Sequence, residues 1–164
     1  MILGMNPLSK KRWISGSGIV HSFEQINNIV FLHSQNHKIF IGSDSFLTKK
    51  RTCFVTAVCL LTENKGGKYF LYKDYLKTNQ FNILATRITE EVRRSIELAE
   101  HFMNTYNILP QDIELHLDVS PFAAKNGTSK FSEMLKGYVQ GYGFGCKLKP
   151  NAWASQTVAD KHSK

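Results

Sequence analysis

The stretch Ile39-Phe40-Ile41-Gly42-Ser43-Asp44-Ser45-Phe46 (IFIGSDSF, 39–46) begins with three large apolar residues and then reaches an aspartate between two serines. The apolar residues are typical of a buried strand. Aspartate, in contrast, is depleted in strands and is rarely buried unless it is paired. We therefore predict a core strand over 38–44 whose carboxyl end presents Asp44 to a partner.

Four further segments have the pattern of strands. Residues 52–62 (TCFVTAVCLLT) are rich in β-branched and apolar types, and 67–75 (GKYFLYKDY) follow after a short polar connection. Short connections between consecutive strands predict antiparallel pairing. A fourth strand over 112–119 (DIELHLDV) and a fifth over 143–149 (GFGCKLK) lie farther along the chain.

Helical periodicity occupies the segments between these strands. Ser22 and Gln25 have the spacing of a capping box, which predicts a short helix over 23–34. The longest periodic segment is 80–106, where apolar residues recur at three- and four-residue steps. The remaining helices are predicted over 128–142, where Gly137 and Gly141 permit close packing, and over roughly 154–163.

The element order βββαβαβα predicts the architecture. Three antiparallel strands followed by strands joined through helices give an α/β fold with a mixed five-stranded sheet and helices on its faces. This inventory is similar to that of an RNase H-like domain. We expect a single domain over 1–164, in which 1–36 form a basic lead-in with the short N-terminal helix and 37–164 form the core.

Composition and charge fit a globular protein with an anionic partner. The 164 residues are 42% hydrophobic, and 21 Lys and Arg against 13 Asp and Glu give a net charge of +8. This excess favours nucleic acid as a partner, although a solvated basic surface has the same composition. Three cysteines without CxxC spacing indicate a reducing compartment. Because no apolar run has the length of a secretory leader or a membrane span, we expect a cytoplasmic protein without a membrane partner.

A second aspartate repeats the pattern of Asp44. Asp118 ends the predicted strand 112–119 and again has a serine within two positions. If the helix 80–106 is a crossover, the first and fourth strands lie side by side and parallel, and their carboxyl ends meet at one edge of the sheet. Two neighbouring aspartates repel each other unless one is protonated or a cation lies between them. Ligands that are all oxygen favour Mg²⁺ or Mn²⁺.

The long helix can supply a third carboxylate. At about 100° per residue, Glu91 lies at the margin of the apolar stripe, whereas Glu90 points into solvent. We therefore predict that Glu91 joins Asp44 and Asp118 as a metal ligand. Each aspartate could instead cap a turn, but two acids at matched strand ends favour a metal site. Two ions about 3.5–4 Å apart would suit phosphodiester hydrolysis.

Two other groups of residues give weaker signals. His33 and His37 have the spacing of a helical metal pair, but a solvated connection between helix and strand is the more common role. A terminal helix docked at the same sheet edge could present Asp160 as a fourth ligand, with His162 half a turn away. A single aspartate in a terminal helix is more often part of the surface.

Several segments resemble the YkuK family of predicted RNase H-like nucleases. They are IGSDS, the Glu-Val of TEEVRRSIELAE, HLDVS, GTSK and GYGFGCKLKPNAWASQTVADKHSK, and together they extend from about residue 38 to the end. The resemblance implies an Asp–Glu–Asp–Asp metal site formed by Asp44, Glu91, Asp118 and Asp160. Phe46 departs from the pattern, because a polar residue is expected after the Asp-Ser pair.

Residues around the carboxylates are predicted to contact nucleic acid. By the same resemblance, 126–130 (NGTSK) are a candidate phosphate contact, and free N–H groups at the start of the next helix give this an independent physical basis. A plain helix cap with solvated lysines explains the segment equally well. The predicted contacts are Ser45, Ser120, Thr128, Ser129, Lys130, Lys147 and Lys149.

These observations predict a divalent-metal-dependent nuclease that hydrolyses phosphodiester bonds by a two-metal mechanism. Its cofactors would be two Mg²⁺ or Mn²⁺ ions, and His162 would act in proton transfer or product release. The alternative is a non-catalytic nucleic-acid-binding module on the same fold. The partner would be RNA, DNA or an RNA–DNA hybrid, and no short motif in the sequence chooses among them.

Overall fold

The computed structural model describes residues 6–77, 80–119 and 128–163, with 128–130 described only as helical backbone. The strands are β1 (Trp13–Ser15), β2 (Val20–His21), β3 (Ile39–Leu47), β4 (Arg51–Thr62), β5 (Gly66–Lys77), β6 (Ile113–His116) and β7 (Gly145–Lys147). The α-helices are α1 (Phe23–Ser34), α2 (Leu84–Tyr106), α3 (Thr128–Gly141) and α4 (Asp160–Ser163). A π-helical segment, Ala154–Ala159, leads directly into α4, and we call residues 154–163 the C-terminal helix.

One mixed sheet with the order β2-β1-β5-β4-β3-β6-β7 connects these strands. The strand β3 pairs antiparallel with β4 and parallel with β6, with Ile39 opposite Ile113 and Gly42 opposite His116. The predicted α/β class with a mixed sheet is therefore confirmed. The predicted crossover is also confirmed, because the first and fourth core strands are parallel neighbours.

The prediction of five strands is wrong, since β1 and β2 extend the sheet beyond β5. The strand β1 pairs antiparallel with β5, with Ile14 opposite Leu71. Trp13 anchors it, because its ring is fully buried against Tyr72 and its indole N–H donates to the Leu8 carbonyl at 3.0 Å. The two apolar residues of β1 are too few to produce an alternating pattern. The strand was therefore not predicted within the basic lead-in.

The boundaries of the helices agree well with the sequence pattern. The capping box of α1 forms as expected, with the Ser22 hydroxyl accepting from the Gln25 N–H. The helix α2 begins at Leu84, four residues later than predicted, and ends at Tyr106, because the next residue, Asn107, adopts a left-handed conformation with φ 55°. No helix in the described ranges is long and apolar enough to cross a membrane.

Alternation along β3 directs its side chains into two different cores. Ile39 and Ile41 are fully buried in the core that contains α1 and α2. Phe40 and Gly42 face the C-terminal helix, and Trp153 covers Phe40 with a ring-centroid distance of 5.0 Å. Asp44 continues this second face, so the C-terminal helix is seated on β3 directly beside it.

Candidate metal centre

Three carboxylates meet just beyond the point where the parallel pairing of β3 and β6 ends. The prediction that the strand ends at Asp44 is wrong, because β3 stays paired with β4 as far as Leu47, three residues later. Asp44 on β3, Glu91 on α2 and Asp118 just beyond β6 each offer one ligand atom, and these atoms all lie within 4.8 Å of one another. Asp44 and Glu91 are buried, with 5% and 6% of their surfaces exposed, whereas Asp118 is partly exposed. The structure thus brings together the three acids that sequence reasoning placed in one site.

Hydroxyl groups hold α2 against β3 at the height of Glu91. The Ser45 hydroxyl donates to Glu91 Oε1 at 2.5 Å. The Ser43 hydroxyl lies on the same face of β3 and contacts Ser95 at 2.8 Å and Thr56 at 3.1 Å. Ser95 is one helical turn beyond Glu91. The Ser45–Glu91 and Ser43–Ser95 contacts therefore fix the position of α2 along β3. Ser45, predicted as a nucleic-acid contact, therefore orients a carboxylate in this structure.

Glu90, the neighbour of Glu91, is not in free solvent as predicted. Its carboxylate is held by Arg93 at 2.8 Å and by Arg94 at 3.0 Å. Arg94 is itself buried and also bonds to Asp74 on β5. The two arginines balance the charge of Glu90, which leaves Glu91 as the acid that α2 contributes to the site.

The C-terminal helix reaches the site through Ser163. Its hydroxyl lies 3.0 Å from Asp44 Oδ2 and 3.1 Å from the carbonyl oxygen of Asp160, one turn earlier. Asp160 is partly buried and does not belong to the group of three carboxylates. Sequence reasoning missed Ser163. The only available signal was its three-residue spacing from Asp160, which has meaning only once this segment is known to be helical.

The two predicted lysines of β7 and the loop after it lie at different distances from the acids. Lys149 Nζ forms an ion pair with Asp118 Oδ1 at 2.8 Å, and 41% of its side chain remains exposed. Its backbone N–H donates to Val119, which holds this loop against the end of β6. Lys147 is exposed on β7, and its carbonyl accepts from Leu117. Lys149 is therefore part of the site, whereas Lys147 lies on the outermost strand.

Among the remaining predicted residues, His162 is described and does not join the carboxylates. His162 Nε2 lies 2.8 Å from the Tyr69 hydroxyl on β5, and this histidine is outside the group of three acids. Ser120 and positions 126–127 lie outside the described residues. Thr128, Ser129 and Lys130 form the backbone of the first turn of α3.

Burial and mutual repulsion perturb the carboxylates. Burial and the charge of the neighbouring Asp118 carboxylate together raise the pKa of Asp44 to about 7, against the Ser163 hydrogen bond, which lowers it. Burial also raises the pKa of Glu91 well above its ordinary value, with the charges of Asp44 and Asp118 adding to the effect and the Ser45 hydrogen bond opposing it. Buried carboxylates with this property gain most from a nearby cation.

The donor set fits a hard divalent cation. All three side chains offer oxygen, which Mg²⁺ and Mn²⁺ prefer, and the atoms lie close enough to share an ion. The competing pair, His33 and His37, has its rings in tilted contact, with centroids 4.9 Å apart and an interplanar angle of 31°. Among the described residues these histidines belong to no group of three metal-binding side chains.

The raised pKa of Asp44 predicts a pH-dependent stability of the metal-free protein. The folded state keeps a proton on this carboxyl up to a pKa of about 7, whereas the unfolded chain releases it near 3.8. Between these values the folded state binds more protons, so the contribution of Asp44 to the free energy of unfolding falls as pH rises, by about 4 kcal/mol in all. In urea unfolding measured in EDTA, the free energy of unfolding of Asp44→Asn relative to that of wild type should increase by this amount between pH 4 and pH 8.

The pH dependence of wild type alone does not isolate Asp44, because His101 changes the free energy of unfolding in the opposite direction. The variant Asp44→Asn is therefore needed as a reference. Burial lowers the pKa of His101 to about 4, so its contribution to stability rises with pH until the unfolded histidine has lost its proton. The difference between the two proteins cancels that effect. A constant difference across the pH range would contradict the prediction, and adding Mg²⁺ at pH 8 should restore wild-type stability.

The comparison with family models matches residues 21–164 to the family described as Ribonuclease H-like. The comparison with curated proteins gave no match. Since the matched segment is most of the chain, the chain belongs to the Ribonuclease H-like family, which is the YkuK family of the sequence resemblance.

Proposed function

We propose that this member of the Ribonuclease H-like family is a nuclease that hydrolyses nucleic-acid phosphodiester bonds with Mg²⁺ or Mn²⁺. The observation that carries the proposal is the cluster of Asp44, Glu91 and Asp118, whose ligand atoms lie within 4.8 Å of one another. The family match gives the cluster its context, because this family implies nucleic-acid binding. The net charge of +8 suits a polyanionic substrate.

The carboxylates would hold the cofactor ions. Asp44 and Asp118 would lie between or beside two ions, Glu91 would complete the set, and Asp160 would join as a fourth ligand. Bound divalent ions supply an activated water and stabilise the leaving oxygen. Ser163 and Ser45 orient one oxygen each of Asp44 and Glu91.

Basic and proton-accepting groups around the cluster would serve the substrate. Lys149 balances the charge of Asp118 and is exposed enough to turn towards a phosphate. Lys147, Ser120 and the start of α3 (Thr128, Ser129 and Lys130) would bind phosphates farther along the strand. The pKa of His162 is lowered by burial and by Lys73 and Lys161, so at neutral pH this histidine would accept a proton.

A cleavage panel tests the proposal. The protein would be incubated with Mg²⁺ or Mn²⁺ and with single- and double-stranded DNA, structured RNA, an RNA–DNA hybrid and a four-way junction. We expect cleavage of at least one substrate that stops in EDTA. It should also stop in Asp118→Asn, which controls for a contaminating nuclease because a contaminant would be present in both preparations.

A non-catalytic nucleic-acid-binding module is the second candidate, and the Lys149–Asp118 ion pair favours it. This lysine balances one of the three acids without a metal ion. Absence of cleavage on every substrate, together with oligonucleotide binding that survives EDTA, would overturn the nuclease proposal in favour of the module.

A further inference from the structure

Beyond the C-terminal helix, the sheet face that carries Asp44 continues to residues of β3 and β5 whose side chains are exposed. Phe46 on β3 lies opposite Cys53 on β4, which lies opposite Tyr75 on β5. Residues directly opposite each other in an antiparallel pair project from the same face of the sheet. Asp44 is two residues before Phe46 on β3 and therefore shares this face. We call the row formed by Phe46, Cys53 and Tyr75 the aromatic row.

The two rings at the ends of the aromatic row are exposed, although the residue between them is not. Phe46 and Tyr75 are 39% and 50% exposed, whereas Cys53 between them is 6% exposed. Two strand spacings, roughly 10 Å, separate the backbones of the rings. The row thus presents two exposed aromatic rings on either side of a buried cysteine.

Positive charge surrounds the aromatic row. The Arg51 guanidinium lies over the Tyr75 ring, 4.2 Å from its centroid, and Lys77 is opposite Arg51 in the next row. Lys73 stands in the row of Asp44. At the positions of β3, β4 and β5 that share this face, Asp44 is the single acidic residue. Asp74 is on the opposite face, where it pairs with Lys11 and Arg94.

We propose that Phe46 and Tyr75 stack on unpaired bases of a single-stranded nucleic acid, with its phosphates against Arg51, Lys73 and Lys77. The choice of nucleic acid as the polyanion rests on the proposed function. A ring on a flat sheet can stack only on a base whose face is free, and such stacking tolerates every base. An apolar protein surface is a poorer fit, because the three cations would lie at the edge of its contact without anionic partners.

The position of the aromatic row also specifies where the unpaired bases lie in the substrate. Two residues along β3 correspond to roughly 7 Å, so the base stacked on Phe46 is next to the phosphodiester that reaches Asp44, and the base stacked on Tyr75 lies two strand spacings farther away. The preferred substrate class is therefore a strand that is unpaired beside the bond to be cut. A continuous duplex would contact the cations but not the rings.

Binding measured without metal tests this proposal separately from catalysis. In EDTA, fluorescence anisotropy would compare wild type with Phe46→Ala/Tyr75→Ala on a labelled single strand of mixed sequence. Each ring should contribute about tenfold to the dissociation constant, so the double variant should bind about 100-fold more weakly. Phe46→Tyr and Tyr75→Phe should retain wild-type binding, because both keep a ring.

Two controls make the result specific. Phe31→Ala removes a ring that is 36% exposed on α1, on the opposite face of the sheet, and should leave single-strand binding unchanged. A blunt duplex of the same sequence should bind wild type and the double variant within about twofold of each other, since it would be held only through phosphates.

The outcomes separate this proposal from the nuclease proposal. Cleavage in the panel with unchanged single-strand binding by the double variant would overturn the aromatic row and leave the nuclease intact. Loss of single-strand binding without cleavage by wild type would support the aromatic row and overturn the nuclease. Equal loss of single-strand and duplex binding would overturn the stacking role, because a duplex offers no free base. No binding by wild type would overturn it as well and would point to a protein partner.

Discussion

Asp44→Asn is expected to lower metal-dependent cleavage by about 10³-fold or more and to leave the protein folded. The amide has nearly the shape of the carboxylate but cannot balance a divalent cation between Asp44 and Asp118. Removing that charge forfeits several kcal/mol of charge stabilisation, and each ~1.4 kcal/mol corresponds to tenfold in rate. Single-turnover cleavage of the substrate identified in the panel, with the protein in excess over substrate, measures this loss.

The burial of Asp44 gives the experiment an internal check on folding. Because the folded state disfavours the ionised carboxyl, Asp44→Asn should be at least as stable as wild type at pH 8. An inactive variant with increased stability would tie the loss to chemistry. Glu63→Gln is the matched control, since Glu63 is exposed in the turn after β4, at the opposite end of the sheet from the site.

Glu91→Gln extends the same argument to the helix. Its carboxylate is buried and bonded to Ser45, and the amide oxygen can still accept that bond. We therefore expect loss of cleavage with the packing of α2 on β3 preserved. Retention of wild-type rates by both variants would show that the cluster takes no part in the reaction.

The convergence of the acids was predictable because it follows from local rules. Asp44 and Asp118 each end an apolar run, and one crossover is enough to bring two parallel strand ends together. Glu91 was separable from Glu90 by helical angle alone. The partial burial of Glu90 could not be predicted from its helical angle. It depends on Arg94, which pairs with Glu90 and is itself positioned by Asp74 on β5.

Features that depend on the register of distant segments could not be obtained from the sequence. The contact of Ser163 with Asp44 joins residues 119 positions apart, and no local pattern encodes such a pairing. The same holds for the row of Phe46 and Tyr75, which exists because β3, β4 and β5 pair in one particular register. The prediction that Gly137 and Gly141 permit close packing is wrong, since a Cβ at either position would meet no described atom within 4 Å beyond the backbone of its own helix.

Gly42→Ala is expected to destabilise the protein by about 3 kcal/mol and to weaken the site as well. A Cβ at this position would lie 2.5 Å from the backbone carbon of Ala154 and from the backbone nitrogen of Ser155. Neither atom can move without the C-terminal helix, and overpacking of a buried contact costs about 1–3 kcal/mol or more. Urea unfolding at pH 7 measures the change in the free energy of unfolding.

Displacement of the C-terminal helix also removes the Ser163 hydroxyl from Asp44, so Gly42→Ala should lose cleavage beyond what its stability explains. Ser163→Ala separates the two effects, because it removes the hydroxyl and leaves Gly42 against Ala154. Gly137→Ala is the matched control: in the open interior of α3 the added methyl should stabilise the protein by about 0.5–1 kcal/mol. If both glycine variants had the same stability, the close seating of the C-terminal helix on β3, and with it the placement of Ser163 beside Asp44, would be contradicted.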